Sequence, residues 1–299
     1  DFSYRGTAVR EQTLTLYEDL PYNMMLGDPG ELGELNKEQR KAWDAYRAPH
    51  VEKFEAMNLG WNNPSRELSR FKYQMLLKNF LASGAGIDKN VGRIRSFLEK
   101  NNLADNTIVI YMADHGFFLG EHGFFDKRFM YEESLQMPFL IRYPQKIKAK
   151  TVCKNIICNV DFAPTLLDLT NLPIPNYMQG VSFRSLLEGN RPESWSEIAY
   201  HRYWMHRDPD HNAYSHYGIR DQRFKIIYWY NDGFGLPGTN HGGEDKEWEL
   251  FDCKKDPLEL FNVFNDPLYE RIREEMIYKL EKKMAEIGDE PAHEIKHVF

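Results

Sequence analysis

The stretch from Asp114 to Arg128 gathers carboxylates, two imidazoles, an ammonium and a guanidinium among three glycines. Asp114 offers a hard oxygen to a divalent cation, and His115 offers a neutral nitrogen to a metal or an N–H to an anion. Gly116, Gly120 and Gly123 permit sharp backbone turns beside a ligand. Lys127 and Arg128 add positive charge to a chain whose formal net charge is -7, so an anion would be gripped by local rather than overall charge. Metal, imidazole and ammonium together make an anion site. Taken alone, Asp114, His115 and Gly116 are also the text of a turn with a helix cap, and a loop residue such as His122 is often simply solvated. Their co-occurrence is what gives them weight.

The elements around this stretch must position it. Thr107 to Ala113 is β-branched and apolar on both faces, which predicts a central parallel strand ending at Asp114. Ligands of open α/β sheets bind outside the carboxyl ends of such strands. A second strand is expected over Pro138 to Tyr143, then a helix over Ala163 to Thr170 capped by Asp161. Upstream, Ser65 to Asn101 reads as a helix bent near Gly84 and Gly86, with Phe71, Met75, Ile87, Val91, Ile94 and Leu98 on one buried face. Asp1 to about Gly60 reads as surface wrapping, broken at Gly27, Pro29, Gly30 and Gly33 and polar-helical from Lys37 to Met57. Helix, strand, loop, strand, helix is α/β order.

Past Pro173 and Pro175 the text changes. Short strands are expected over Glu197 to Tyr203, Tyr217 to Arg220, Phe224 to Tyr230 and Trp248 to Phe251, with a Gly-rich loop from Asn231 to Lys246. Pro267 opens an amphipathic helix over Leu268 to Ile287, whose Ile272, Met276, Leu280, Met284 and Ile287 would pack on that sheet. The chain thus divides into an α/β portion, residues 1–190, and a subdomain, residues 191–299, of antiparallel sheet plus helix.

That subdomain carries His201, His206, His211 and His216 among Tyr200, Tyr203, Trp204, Tyr214 and Tyr217. Aromatic rings stack on sugar faces and imidazoles bond hydroxyls, although scattered polar loop residues would look the same. Asp88, Asp161 and Arg142 read as caps and packing, and Lys146 to Lys150 as a solvated loop. The acidic balance argues against nucleic acid. No apolar run reaches the roughly 20 residues of a membrane span, and Asp1 to Arg10 lacks the layout of a leader. Cys153, Cys158 and Cys253 have no metal-ligand spacing; they read as core thiols, or Cys153 and Cys158 close a short loop if the protein is exported.

The order of linked segments is specific. The strand end, Asp114 to Gly116, Leu119 to Gly123, Asp126 to Arg128 and Tyr131 to Leu135 are followed by Met137 to Pro144, Val160 to Leu167, Met178 to Phe183 and Asp252 to Val263. With the helix from Ile87 to Ile94 ahead of them, these segments resemble the sulfatase family of the alkaline-phosphatase-like superfamily, clearly from about Tyr73 to Val263. The resemblance implies an α/β fold with a partial central mixed or parallel sheet. It implies Asp114 and His115 as calcium ligands, Lys127 as the group that grips the sulfate, and His115 beside it in catalysis. His122, Arg128, His201, His216 and Arg220 become candidate contacts to sulfate or sugar.

Family members use a formylglycine made from Cys or Ser in a Cys/Ser-x-Pro-x-Arg motif, which is not found here. Asn62 to Arg66 imitates it, with Asn at the position to be oxidised. The resemblance therefore implies the C-terminal half of a sulfatase acting on a sulfated carbohydrate, exported to periplasm, medium or lysosome, and inactive without its N-terminal half. Such a half would expose a hydrophobic sheet edge, and so needs its partner or pairs with a second copy. Two rival readings are a phosphodiesterase or phosphonate hydrolase of the same superfamily, and a noncatalytic module that binds sulfated glycans.

Overall fold

The computed structural model describes residues 15–27 and 35–299, so the expected breaks at Pro29, Gly30 and Gly33 lie outside the described residues. Two compact units are present. One comprises Asp105–Gly116 and Arg128–Phe299; the other comprises the described residues up to Ala104 together with Phe117–Lys127. The division expected near residue 190 falls inside the first unit, because the segment after Arg128 packs on the C-terminal sheet.

The helical unit contains α1 (Tyr22–Leu26), α2 (Lys37–Ala56) and α3 (Arg66–Lys100). Asn36 and Gln39 close a reciprocal capping box on α2, at 2.9 and 3.0 Å, and Ser65 Oγ accepts from Leu68 N to start α3. The first half of α3 buries Leu68, Phe71, Met75 and Leu76, with Phe71 meeting the rings of Phe54 and Trp61. Its second half does not follow expectation: Leu81, Ile87, Ile94 and Phe97 are exposed. Nor does α3 bend. Nothing approaches the Cβ positions of Gly84 and Gly86, so these glycines cost helix propensity, about 1 kcal/mol each, without interrupting the helix.

After α3 the chain forms β1 (Val109–Met112), the two-residue strands β2 (Phe118–Leu119) and β3 (Phe125–Asp126), α4 (Glu132–Leu135) and β4 (Phe139–Arg142). Here the parallel expectation for β1 is corrected. β1 pairs antiparallel with β4, Val109 opposite Arg142 and Met112 opposite Phe139. An apolar run reveals burial but not the direction of its neighbour, and Tyr111, Met112 and Leu140 remain exposed on this pair. Next come α5 (Phe162–Leu169) and α6 (Arg184–Leu187), where the rings of Phe139, Phe162 and Phe183 cluster with centroids 5.1 to 5.9 Å apart. Asp161 makes no side-chain cap on α5. Its carboxylate instead accepts from Cys158 N and Val181 N, each at 2.8 Å, tying two loops.

The C-terminal strands β5 (Ala199–Tyr203), β6 (His216–Arg220), β7 (Phe224–Trp229) and β8 (Glu247–Asp252) form an antiparallel meander in sequence order. One face carries Tyr217, Ile219, Ile226, Tyr228 and Leu250 against Met276, Ile277, Leu280 and Met284 of α7 (Glu270–Ile287). Each such side chain contributes on the order of 1.5–3 kcal/mol by leaving water. The opposite face packs on the segment after Arg128. Tyr131 Oη and Trp229 Nε1 donate to the buried Glu249, at 2.9 and 3.0 Å, and a Cβ on Gly218 would lie 2.9 Å from Met130 Sδ. Beyond α7 the last residues are fastened back: Tyr200 and Arg202 hold Asp289, Tyr217 Oη accepts from Ala292 N, and the buried Glu281 carboxylate accepts from Lys296 N. The thiols of Cys153, Cys158 and Cys253 are free, and Cys153 is exposed rather than in a core.

Candidate functional site

Asp114 and His115 follow β1 directly, and the turn they make is fixed by Gly116. Gly116 N donates to Ser134 O at 2.8 Å, and a Cβ there would sit 2.0 Å from the carbonyl oxygen of Glu133 in α4. Only glycine allows this approach. The Asp114 side chain is 89% exposed and 3.6 Å from His115 Nε2. His115 Nδ1 lies 2.6 Å from the carbonyl oxygen of Gly116, which can only accept, so Nδ1 carries a proton and Nε2 is the ring nitrogen turned towards Asp114. An outward carboxylate beside an imidazole nitrogen fits part of a divalent cation's shell. Among the described residues no group of three or more His, Cys, Asp or Glu side chains could hold a metal.

The loop that follows belongs to the helical unit. β2 and β3 pair Phe118 with Asp126 and Leu119 with Phe125, and Glu121 caps the hairpin by accepting from Leu119 N at 2.6 Å. His122 is 8% exposed, with its ring near those of Phe118 and Phe124. Lys127 Nζ is 3.0 Å from Asp126 Oδ1, with a quarter of its side chain exposed. Backbone strain concentrates here: His122, Asp126 and Arg128 have φ of 57°, 71° and 112°. Non-glycine residues in such conformations persist only where surrounding structure enforces them, and they cluster at ligand sites.

The C-terminal candidates are distributed differently from one another. His216 is fully buried, stacked on Tyr203 and 4.5 Å from the Trp229 ring, with its Nδ1 2.8 Å from Tyr214 O. His201 lies beside it, ring centroids 5.6 Å apart, and neither Nε2 has a hydrogen-bond partner among the described residues. Burial pushes His216 down to about 3, helped by His201, and pushes His201 down to about 4, helped by Lys225. Arg220 Nε donates to Glu132 Oε1 at 3.0 Å, and Lys225 Nζ stands 2.9 Å from the same oxygen and 2.6 Å from Glu259 Oε1. Burial alone would raise the Glu132 pKa, but Lys225 and Arg220 hold it below the usual carboxylate range.

Three residues join these candidates; sequence reasoning named His211 only as a member of the histidine cluster and did not single out Asp208 or Glu132. Arg128 Nη2 is 2.5 Å from His211 Nε2, and His211 Nδ1 is 2.7 Å from Asp208 Oδ1. Glu132 links Arg220 to the α4 turn that packs against Gly116. The partners of the first chain stand 83 positions apart, beyond any local pattern.

Residues 120–286 match the model of the N-sulphoglucosamine sulphohydrolase C-terminal region, and residues 36–172 match the sulfatase model. The chain is 36% identical over 315 residues to an N-acetylglucosamine-6-O-sulfatase of Bacteroides thetaiotaomicron, covering 100% of this chain and 53% of that one. A solved structure of a protein in complex with its substrate D-glucosamine-2-N,6-O-disulfate is similar at a TM-score of 0.84 and 35% identity, covering 98% of this chain and 60% of that chain. The phosphonate monoester hydrolase of Agrobacterium radiobacter is similar at a TM-score of 0.54 and 26% identity, over 74% of this chain and 41% of that chain. The chain spans about half the length of the first of these relatives.

Proposed function

Because the chain belongs to the sulfatase family, we propose that it is the C-terminal portion of a sulfuric ester hydrolase acting on a sulfated carbohydrate, with a glucosamine 6-sulfate as the substrate class. The observations that carry the reading are, in the first unit, the outward Asp114 carboxylate beside the His115 imidazole and, in the helical unit, Lys127 held by Asp126 on a backbone strained at His122 and Asp126.

In this reading Asp114 and His115 hold calcium together with ligands from a preceding segment, which also contributes the formylglycine nucleophile. The cation supplies positive charge at the sulfate oxygens, and the formylglycine supplies the attacking oxygen. The residues of this chain bind and orient. Lys127 donates N–H bonds to the sulfate and stabilises the charge that grows on its oxygens in the transition state, and Asp126 holds the ammonium in place. Arg128 presents a planar fork to the same anion or to a sugar substituent, and His122 lines the loop. His201 is the sugar contact of the C-terminal sheet. His216 supports it by packing, and Arg220 acts through Glu132. We assign the protein to an exported compartment, in keeping with its family; no helix among the described residues is long and apolar enough to cross a membrane.

The test is to express this chain together with the segment that precedes it in its gene and to follow sulfate release from N-acetylglucosamine 6-sulfate. Lys127→Ala is expected to lower kcat/KM by about 100-fold or more. Undiminished activity in that variant overturns the role of Lys127. Hydrolysis of an aryl phosphonate monoester in preference to the sulfate ester would favour the phosphonate hydrolase alternative, and a preceding segment without an oxidisable Cys or Ser would favour the glycan-binding module.

A further inference from the structure

We propose that His211, locked by Asp208, is a positioning residue that sets the Arg128 guanidinium for anion recognition. The inference rests on the reading of Arg128 as an anion contact and adds the device that aims it.

The argument begins with proton inventory. A guanidinium has only donors, so at 2.5 Å from Arg128 Nη2 the His211 Nε2 must be the acceptor and carry no proton. The ring proton therefore sits on Nδ1 and is donated to Asp208 Oδ1 at 2.7 Å. Asp208 is nearly buried, and its other oxygen accepts from Tyr203 Oη at 3.0 Å. Backbone N–H groups of Asp210 and His211 donate to Oδ1 at 3.2 and 3.1 Å. Burial works against the Asp208 charge, but the bonds from His211 and Tyr203 outweigh it and keep the carboxylate ionised. A fixed carboxylate selects one tautomer, and that tautomer can bond a guanidinium.

The loop bearing His211 is closed on itself. Arg207 N donates to Ala213 O at 2.7 Å, Asn212 N to Asp208 O at 2.8 Å, and Arg207 Nε to Asn212 Oδ1 at 3.1 Å. Left-handed turns at Arg207 and Asn212, with φ of 48° and 49°, make that closure. The loop springs from β5, whose last residue is Tyr203, and re-enters the sheet at His216. Arg128, held at φ 112° at the other end of the contact, is thus referenced to the C-terminal sheet through an imidazole rather than directly through a carboxylate. A neutral bridge orients the cation at lower electrostatic cost to a bound anion than a direct carboxylate partner would.

Two measurements on the 299-residue chain test this. Side-chain nitrogen NMR should show His211 protonated at Nδ1 only and slowed exchange of the Arg128 Nη protons. His211→Ala should release Arg128, and His211→Gln, whose amide oxygen replaces the Nε2 lone pair, should restore it. A proton on His211 Nε2, or an Arg128 signal indifferent to His211→Ala, overturns the proposal. In parallel, inorganic sulfate is titrated. Arg128→Ala and His211→Ala are each expected to weaken binding about tenfold, and His211→Gln to recover most of it. If Arg128→Ala weakens sulfate binding and His211→Ala does not, the positioning role fails alone. If the unaltered chain shows no sulfate binding, or neither Lys127→Ala nor Arg128→Ala changes it, the anion-site reading fails and the proposal falls with it.

Discussion

His216 illustrates how much a single side chain can be asked to do without touching solvent. Enclosed by Tyr203 and Trp229, and next to His201, it is held neutral by burial, with its pKa lowered from 6.5 to about 3. Unfolding releases it to its ordinary value. Between those two limits the unfolded chain binds more protons than the folded one, so stability contributed by the neutral ring is complete above pH 6.5 and is lost as pH falls towards 3. Each pKa unit corresponds to about 1.4 kcal/mol, so the shifts of His216 and His201 together correspond to a loss on the order of 8 kcal/mol. Urea unfolding of His216→Gln across this range should show a shallower acid slope than the unaltered chain; identical slopes would remove His216 as the cause. The thiols follow the same logic in the opposite direction, burial pushing Cys158 up to about 11 and Cys253 up to about 12, which leaves both poor nucleophiles at neutral pH.

Among the elements, the C-terminal sheet stands between its helix and the loop chemistry. Gly218 marks the tightest point: a Cβ there would meet Ile226 O at 2.0 Å and Met130 Sδ at 2.9 Å. Gly218→Ala is expected to destabilise the fold by about 1–3 kcal/mol and to displace the segment between Arg128 and Glu132. An unchanged urea midpoint would refute that expectation. This sheet and α7 were legible in the sequence, since strand alternation and the spacing of Met276, Leu280 and Met284 are local signals. The direction of β1 was not, because its partner β4 lies beyond a loop and a helix, and pairing direction leaves no periodicity. Asp114, His115 and Lys127 stood out through residue type and order. Asp208 did not, and His211 appeared only as one of a histidine cluster, because their link depends on Arg128, far away in sequence. Gly84 and Gly86 do not interrupt α3, because glycine weakens a helix without ending it where the flanking residues continue it.

Among the described residues, the second half of α3 exposes Leu81, Ile94 and Phe97, and the β1–β4 pair exposes Tyr111, Met112 and Leu140. Exposed apolar side chains on a helix face or on an open strand pair mark surfaces made to be covered, and the preceding segment of the family fold is the proposed cover of each. If, as proposed, Asp114 and His115 are this chain's share of the cation's shell, calcium should bind the isolated 299 residues no tighter than micromolar in calorimetry, and sulfate ester turnover should be undetectable. Submicromolar affinity, or measurable turnover, would contradict the incomplete-site reading. The residues that follow α7 are tied down instead. Since Asp289 is grasped by Tyr200 and Arg202 while Lys296 and Ala292 satisfy Glu281 and Tyr217, the final residues serve as the roof over two otherwise stranded polar groups. Trimming the protein at Gly288 would leave that carboxylate and phenol to be rehydrated inside the joint between sheet and helix.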